Sequence, residues 1–431
     1  KSMTAPLNRK MYFLTDPIED RAKDWLDYKI NYQATFAAQL MYPMVDTYEV
    51  MPWPDRIYQG LYRIAGTDQK ERIPRSYSTQ MQTMVNTLND IRTSDKKITG
   101  TQGIGVLMAN SLMFQRFPNH NGYNDPQFSS FYGQTLPLLK RGIPVELVHM
   151  ENTPFKETFK GLHILVMSYS NMKPMKPEYH NYLADWVKKG GILIYCGEDI
   201  DPYQTVLEWW NTDGNEYKAP SEHLFEKMNL SRNPGEGTYR YGKGTVIVMR
   251  EDPKHFVLKA GNDQKYFETI ASAYQKKIGK EIETKNSFIV ERGPYTIAAV
   301  MDESVSKEPL TLSGLYIDLF DKDLPVLTSK QIQPGEQGYL YDLNKVSGKI
   351  KAKVLCGASR IYDEKVSKQS YSFVAKSPIN TTNVSRVLLP RKPEKIRVNG
   401  KEEQPEWDES SKTLLLSFEN DPSGVNVSIE W

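Results

Sequence analysis

The chain is poor in cysteine and has no long apolar run. Of its 431 residues only Cys196 and Cys356 are cysteines, and they lie far apart in sequence. This spacing excludes a disulfide framework, and a metal centre would need ligands of other types. No stretch reaches the roughly eighteen consecutive apolar residues of a transmembrane helix, so we predict no membrane association.

Charge of either sign is not in excess. The formal net charge is +2, and lysine and glutamate are interspersed without a basic tail, so the sequence predicts no nucleic-acid surface. The six histidines show neither an HExxH motif nor another paired spacing. We therefore expect no metal and no cofactor. No signal-peptide pattern is recognised, which leaves the cellular compartment open.

Two short apolar segments near the N-terminus end in acidic residues. They are MYFLTDPIED (Met11–Asp20) and TYEVMPWPDR (Thr47–Arg56). Between them, from Asp24 to Met41, apolar side chains recur at helical spacing. The same spacing recurs after the second segment, from Tyr77 to Ile91. Because strands and helices alternate with short connections, we predict that residues 1–96 form the last βα units of a (β/α)8 barrel.

A different pattern begins after this region. Continuous apolar segments, such as Ile104–Ala109 and Ile192–Cys196, alternate with amphipathic helical segments. This predicts a parallel sheet covered on both faces, a flavodoxin-like domain over residues 97–284 that is similar to class I amidotransferases. Short alternating segments without helices follow, and they predict a C-terminal antiparallel β-sandwich over residues 285–431.

Acidic side chains concentrate where the first two strands end. In a barrel, carboxylates at the carboxyl ends of strands face the substrate pocket, and glycoside hydrolysis needs two of them. Asp16 and Glu19 are the candidate catalytic residues. The residues expected to bind substrate are Asp20, Glu49, Trp53, Asp55 and Arg56. The alternative interpretation is that Asp16 and Asp20 are only turn or capping residues before the helix.

Cys196 is a further candidate, because it ends a predicted strand as the nucleophile of an amidotransferase does. It lacks the tight glycine-flanked turn and a following His-x-Glu pair, so a buried thiol at a strand end is favoured. The Trp209–Trp210 pair could contact a sugar or another subunit. We favour one buried and one partly exposed tryptophan.

The order of these regions resembles that of the β-galactosidases of glycoside hydrolase family 42, which have a catalytic barrel, a flavodoxin-like trimerisation domain and a small β domain. The matching segments are Gly103–Ser111, Phe131–Val148 and Leu162–Gly197 for the trimerisation domain, Met11–Asp16 for barrel strand seven and Tyr48–Trp53 for strand eight.

The resemblance implies a bacterial, retaining glycosidase that acts on an oligosaccharide from a plant or host glycan. The family nucleophile is a glutamate at the end of strand seven, where this chain has Asp16, with Glu19 as the fallback. The family acid/base follows strand four, and nothing here corresponds to it. We therefore expect the C-terminal part of a longer enzyme, a homotrimer, located in the periplasm or the cytoplasm.

Two other functions stay open. The chain could be a non-catalytic oligomerisation or carbohydrate-binding module. It could also be an amidotransferase-like hydrolase that uses Cys196.

Overall fold

The computed structural model describes residues 2–18, 23–50, 55–95, 100–111, 128–346 and 351–431. Contacts divide the chain into two compact units. Unit 1 comprises Lys1–Lys10, Thr99–Asn286 and Ser304–Ser306. Unit 2 comprises Met11–Ile98, Ser287–Glu303 and Lys307–Trp431.

The first elements of unit 2 form a βαβ unit. They are β1 (Phe13–Thr15), α1 (Trp25–Leu40) and β2 (Tyr48–Val50). The two strands pair in parallel, with Leu14 opposite Glu49. Helix α1 begins where the Asp24 carboxylate accepts a hydrogen bond of 2.7 Å from the Asp27 amide. Capping of this kind satisfies an amide that has no partner within the helix.

The connection after β2 contains structure that the sequence did not predict. Its elements are a short helix α2 (Asp55–Tyr58), strands β3 (Leu61–Arg63) and β4 (Lys70–Arg72), and then the long helix α3 (Arg75–Thr93). Strands β3 and β4 form an antiparallel hairpin. All three residues of β4 are polar and exposed, so the hairpin has no apolar alternation to reveal it.

Unit 1 is built on a six-stranded sheet. Its strands are β5 (Ile104–Met108), β6 (Glu146–His149), β7 (Ile164–Ser168), β8 (Ile192–Cys196), β9 (Gly237–Tyr241) and β10 (Gly244–Met249). The spatial order is β6-β5-β7-β8-β10-β9, and only β9 is antiparallel to its neighbour. The five parallel strands thus have the 2-1-3-4-5 order of flavodoxin-like sheets. Strands β7 and β8 are buried along their whole length, which explains their continuous apolar sequence.

Helices cover this sheet. They are α4 (Gly133–Leu139), α5 (Tyr179–Lys188), α6 (Pro220–Lys227), α7 (His255–Leu258) and α8 (Gln264–Ile278). A turn of π-helix, Phe128–Tyr132, precedes α4. Helix α8 ends at Gly279, whose φ of 77° is left-handed. Two apolar clusters, one on each face of the sheet, complete the unit.

The rest of unit 2 is antiparallel. Its strands are β11 (Ser287–Arg292), β12 (Tyr295–Val300), β13 (Leu310–Asp318), β14 (Val326–Ile332), β15 (Gln337–Asp342), β16 (Lys353–Gly357), β17 (Arg360–Val366), β18 (Ser370–Lys376), β19 (Thr382–Leu388), β20 (Lys395–Val398), β21 (Lys401–Glu403), β22 (Glu406–Asp408), β23 (Thr413–Glu419) and β24 (Val425–Glu430). They form three sheets of five, four and five strands, in the orders β11-β12-β15-β13-β14, β16-β19-β23-β22 and β17-β18-β24-β20-β21.

These sheets do not form one sandwich. Apolar side chains from the last two sheets share a core, as a sandwich requires. The first sheet instead packs on helices α1 and α3. The Tyr339 hydroxyl donates to Thr87 Oγ1 at 2.7 Å, and the Tyr295 hydroxyl donates to Asp90 at 2.9 Å. The prediction of antiparallel structure is confirmed, but the single sandwich is not, because buried tyrosines on the first sheet join it to the helices.

The mixed α/β class, with one parallel sheet and several antiparallel sheets, agrees with the sequence prediction. Contacts change from one unit to the other close to the predicted boundaries after residues 96 and 284. The assignment of three domains, 1–96, 97–284 and 285–431, stays a prediction. Among the described helices, none combines the length and the apolar character needed to cross a membrane.

Candidate functional site

Asp16 lies directly after β1, at the carboxyl end of the parallel pair. Its Oδ1 accepts a hydrogen bond of 3.1 Å from the Ile18 amide, which is the geometry of a turn. Its Oδ2 lies 3.1 Å from Nη1 of Arg56. The turn interpretation of Asp16 is therefore correct as local structure, and the second oxygen is held by a cation.

Arg56 is fixed from several sides. Its Nη1 also donates to the Ile18 carbonyl, and its own carbonyl accepts from the Tyr62 hydroxyl. The Asp16 and Arg56 side chains are 22% and 17% exposed. The pair is thus largely removed from water, where charge-assisted hydrogen bonds are stronger than on an open surface.

A buried phenol lies behind the carboxylate. Burial raises the pKa of Tyr32 to about 12, the Thr15 hydroxyl lowers it, and the negative charge of Asp16 raises it further. Tyr32 therefore stays neutral at physiological pH. This packing of Tyr32 beside Thr15 anchors the end of β1 on helix α1.

The other predicted site residues fall into two groups. Glu49 is exposed on β2, on the sheet face that it shares with Leu14, and Asp55 is exposed at the start of α2. The structure brings together Asp16 and Arg56, whereas Glu49 lies on β2 and Asp55 begins α2. Three residues lie outside the described part of the chain: Glu19, Asp20 and Trp53.

Chemically, the arrangement presents one oriented carboxylate at the end of a parallel strand. The arginine partner fixes the direction of this carboxylate, as a positioned nucleophile requires. No group of three or more potential metal ligands occurs in the ranges given above, and none of the contacts of Asp16 suggests a bound cation.

Cys196 has none of the features of a nucleophile. It is fully buried at the end of β8, and burial raises the pKa of its thiol, with Glu251 and Asp252 adding to the effect. Buried thiols with a raised pKa are inert. The structure therefore gives no support to the amidotransferase alternative. Cys356 is also free and buried.

Trp210 is buried and Trp209 partly exposed, as expected for this pair. The Trp209 indole donates to the Pro174 carbonyl at 2.8 Å. Both tryptophans therefore have structural partners within unit 1, where Trp210 donates to the Gln204 carbonyl at 3.1 Å.

Sequence reasoning missed one histidine pair. Nδ1 of His180 lies 2.8 Å from Nδ1 of His223, and its Nε2 lies 2.6 Å from the Tyr169 hydroxyl. The two histidines are 43 residues apart on α5 and α6, so no spacing motif could reveal them. Only the packing of the two helices brings them together.

Comparison with known proteins gives distant likenesses only. No protein-family model and no curated protein matches the chain. Among solved structures, a beta-galactosidase from Bacillus circulans sp. alkalophilus is 11% identical, with a TM-score of 0.35 over 61% of this chain and 43% of that one. A catalytic mutant of Gan42B, a GH42 beta-galactosidase from G. stearothermophilus, is 10% identical, with a TM-score of 0.37 over 79% of this chain and 60% of that one.

The chain spans between 43% and 60% of the length of those two structures. A dextranase of family GH31 from Flavobacterium johnsoniae is more distant, with a TM-score of 0.18 and 8% identity. These values are too low to assign an activity.

Proposed function

We propose that this chain is part of a retaining, β-galactosidase-like glycoside hydrolase and that Asp16 is its nucleophile. The observation that supports this most is the position of Asp16. Its carboxylate follows a strand that pairs in parallel through a helix, and Arg56 holds it in one orientation. Catalytic carboxylates of (β/α)8 enzymes occupy this position.

In the proposed reaction, an Asp16 oxygen attacks the anomeric carbon of the sugar. The glycosidic bond breaks, and its oxygen leaves with a proton from an acid/base carboxyl group. Water then hydrolyses the glycosyl ester, gives its proton to the same group and regenerates Asp16. The acid/base belongs to the part of the barrel that completes the pocket, about 5 Å from Asp16 in a retaining enzyme.

The test is hydrolysis of an aryl β-galactoside by the natural full-length protein. We expect Asp16→Asn to lower kcat by about a thousandfold or more, because the covalent intermediate can no longer form. Asp68→Asn is the matched control and should leave kcat unchanged, since Asp68 is an exposed carboxylate in the turn between β3 and β4 and is not a candidate site residue.

Failure of the wild-type protein to hydrolyse any aryl glycoside would contradict the proposal. It would favour the non-catalytic carbohydrate-binding module. An Asp16→Asn variant with full activity would instead leave the enzyme class standing and exclude Asp16 in favour of Glu19.

We also propose that the chain forms a homotrimer through unit 1. Support comes from apolar side chains on the segment after β8, where Ile200 is 73% and Leu207 is 79% exposed, with Val206 beside them. Exposed apolar clusters of this kind are typical of interaction surfaces.

A further inference from the structure

A cleft of about 620 Å³ lies within unit 2, between β2, α3 and the sheet that contains β17 and β18. Ligand pockets typically have roughly 300–1,000 Å³, so the cleft has room for a sugar unit or a short oligosaccharide. None of its described lining residues is a carboxylate. Tyr48 and Val50 of β2 line the cleft, so the cleft lies on the face of β2 opposite the Glu49 side chain.

Two cations face each other across adjacent strands of this cleft. Arg360 on β17 and Lys376 on β18 are directly opposite in register, so their side chains share one face of the sheet. Both are exposed, and neither forms an ion pair with any residue in the described part of the chain. Like charges directly opposite are destabilising, and an anion bound between them would offset this repulsion by attracting both cations.

A nearly buried amide also opens onto the cleft. Gln82 on α3 is 9% exposed and lines the cavity. Its side-chain amide lines the cleft, where it can donate a hydrogen bond to a ligand oxygen or accept one from a ligand hydroxyl.

Aromatic rings also line the cleft. The Lys376 Nζ lies 5.4 Å from the centroid of the Tyr362 ring, and Tyr362 is exposed on the same sheet face as Arg360. Tyr58 lines the opposite side of the cleft. Burial raises the pKa of its hydroxyl to about 12, so this phenol stays a neutral donor. Aromatic faces next to fixed polar groups are the usual surface for a sugar ring.

We propose that this cleft binds an acidic oligosaccharide, with a uronic acid carboxylate between Arg360 and Lys376 and a sugar ring against Tyr362. The opposed cations, the lack of a carboxylate among the described lining residues and the exposed Tyr362 ring carry the proposal. The lining of this cleft includes neither Asp16 nor Arg56, and the proposal does not rest on the proposed glycosidase activity.

The test measures binding of trigalacturonate to the full chain by calorimetry. The neutral control ligand is a galactotriose, and inorganic sulfate tests for an anion site without sugar recognition. Three variants are compared with the wild type: Lys376→Met, Tyr362→Leu and Lys365→Met. Lys365 is an exposed cation on β17, the strand of Tyr362, and it does not line this cleft. Lys365→Met therefore controls for the loss of one positive charge.

We expect trigalacturonate to bind at least about tenfold more tightly than galactotriose, a difference of roughly 1.4 kcal/mol. Lys376→Met and Tyr362→Leu should each weaken binding about tenfold, and Lys365→Met should leave it unchanged. At one ligand concentration, trigalacturonate should raise the Tm of the wild type more than that of Lys376→Met, and the Tm of each protein without ligand reports whether it is folded.

Three results would overturn the proposal. If galactotriose bound with the same affinity as trigalacturonate, the cations would have no role in binding. Sulfate binding as tight as that of the oligosaccharide would exclude sugar recognition. Unchanged binding in Lys376→Met, with its Tm intact, would place the ligand elsewhere.

Discussion

At the scale of single residues, the candidate site is the ion pair between Asp16 and Arg56. Of these two residues, the sequence points to a catalytic role only for Asp16. Asp16 was singled out by its position after a strand, and Arg56 only as one of several substrate contacts. Their pairing depends on the turn at Ile18, which places a carbonyl and an amide beside the same two side chains. Because both side chains are held by the same turn, the interaction between Asp16 and Arg56 can be measured as a coupling free energy.

A double-mutant cycle on Asp16→Asn and Arg56→Gln should give a coupling free energy of about 1 kcal/mol, because the pair is mostly shielded from solvent but not fully buried. Urea unfolding of the wild type, the two single variants and the double variant measures it. Strictly additive effects would show that the two side chains do not interact in solution.

His180 should make unit 1 sensitive to acid. Burial lowers its pKa well below 6.5, and the charges of His223 and Lys227 lower it further. Below about pH 6.5 the unfolded chain therefore takes up a proton that the folded chain does not, so stability falls as the pH decreases by up to about 1.4 kcal/mol per pH unit.

Urea unfolding at several pH values between about 5 and 7.5 checks this. His180→Gln should flatten the pH dependence, and His255→Gln should not. A wild-type stability that is constant over this range would contradict the expectation.

Both cysteines should be unreactive in the native protein. Burial raises the pKa of Cys356 to about 12 and that of Cys196 as well, so neither forms a thiolate near neutral pH. Iodoacetamide followed by mass spectrometry should label neither thiol in the folded chain and both in guanidinium. Native labelling of Cys196, with loss of an activity, would revive the amidotransferase alternative.

At the scale of elements, local signals explain where helices begin and end. Asp24 starts α1 by capping it, and Gly279 ends α8 because its left-handed backbone suits a residue without a side chain. Such signals act within one turn of the chain. They therefore appear in the sequence without knowledge of the fold.

Gly279→Ala should lower the free energy of unfolding by about 1 kcal/mol. A Cβ there would meet no atom within 4 Å, so the cost is that of the left-handed conformation alone. Gly235→Ala is the matched control, because its Cβ would also meet nothing within 4 Å and its φ is not positive. Equal effects of the two changes in urea unfolding would exclude this explanation.

At the scale of the whole molecule, the proposed homotrimer is the property that reaches beyond one chain. Sedimentation velocity should give the mass of three chains. Leu207→Asp should shift the distribution toward the monomer, because a charge replaces a side chain that an interface would bury. Ile289→Asp, at an exposed apolar residue of unit 2, is the control. A monomer at all concentrations would contradict the trimer.

The two units differ in how far their architecture could be predicted. The central strands of unit 1, β7 and β8, are predominantly apolar because both faces of the parallel sheet are covered there. The connecting helices can be recognised in the sequence because their buried faces have apolar residues at helical spacing. In unit 2 the alternating strands were recognised, but not their division into three sheets. Alternation shows that one face of a strand is buried, not which element buries it.

The sequence alone determined the mixed α/β class, the alternation of strands and helices up to residue 284 apart from α2 and the β3–β4 hairpin, and the carboxylate at the end of the first strand, because periodicity and capping are local. Only the tertiary structure decided that Arg56 holds Asp16, that His180 meets His223, and that Arg360 and Lys376 face one cleft. Each of these contacts depends on packing between separate elements, and no spacing pattern in the sequence predicts such packing.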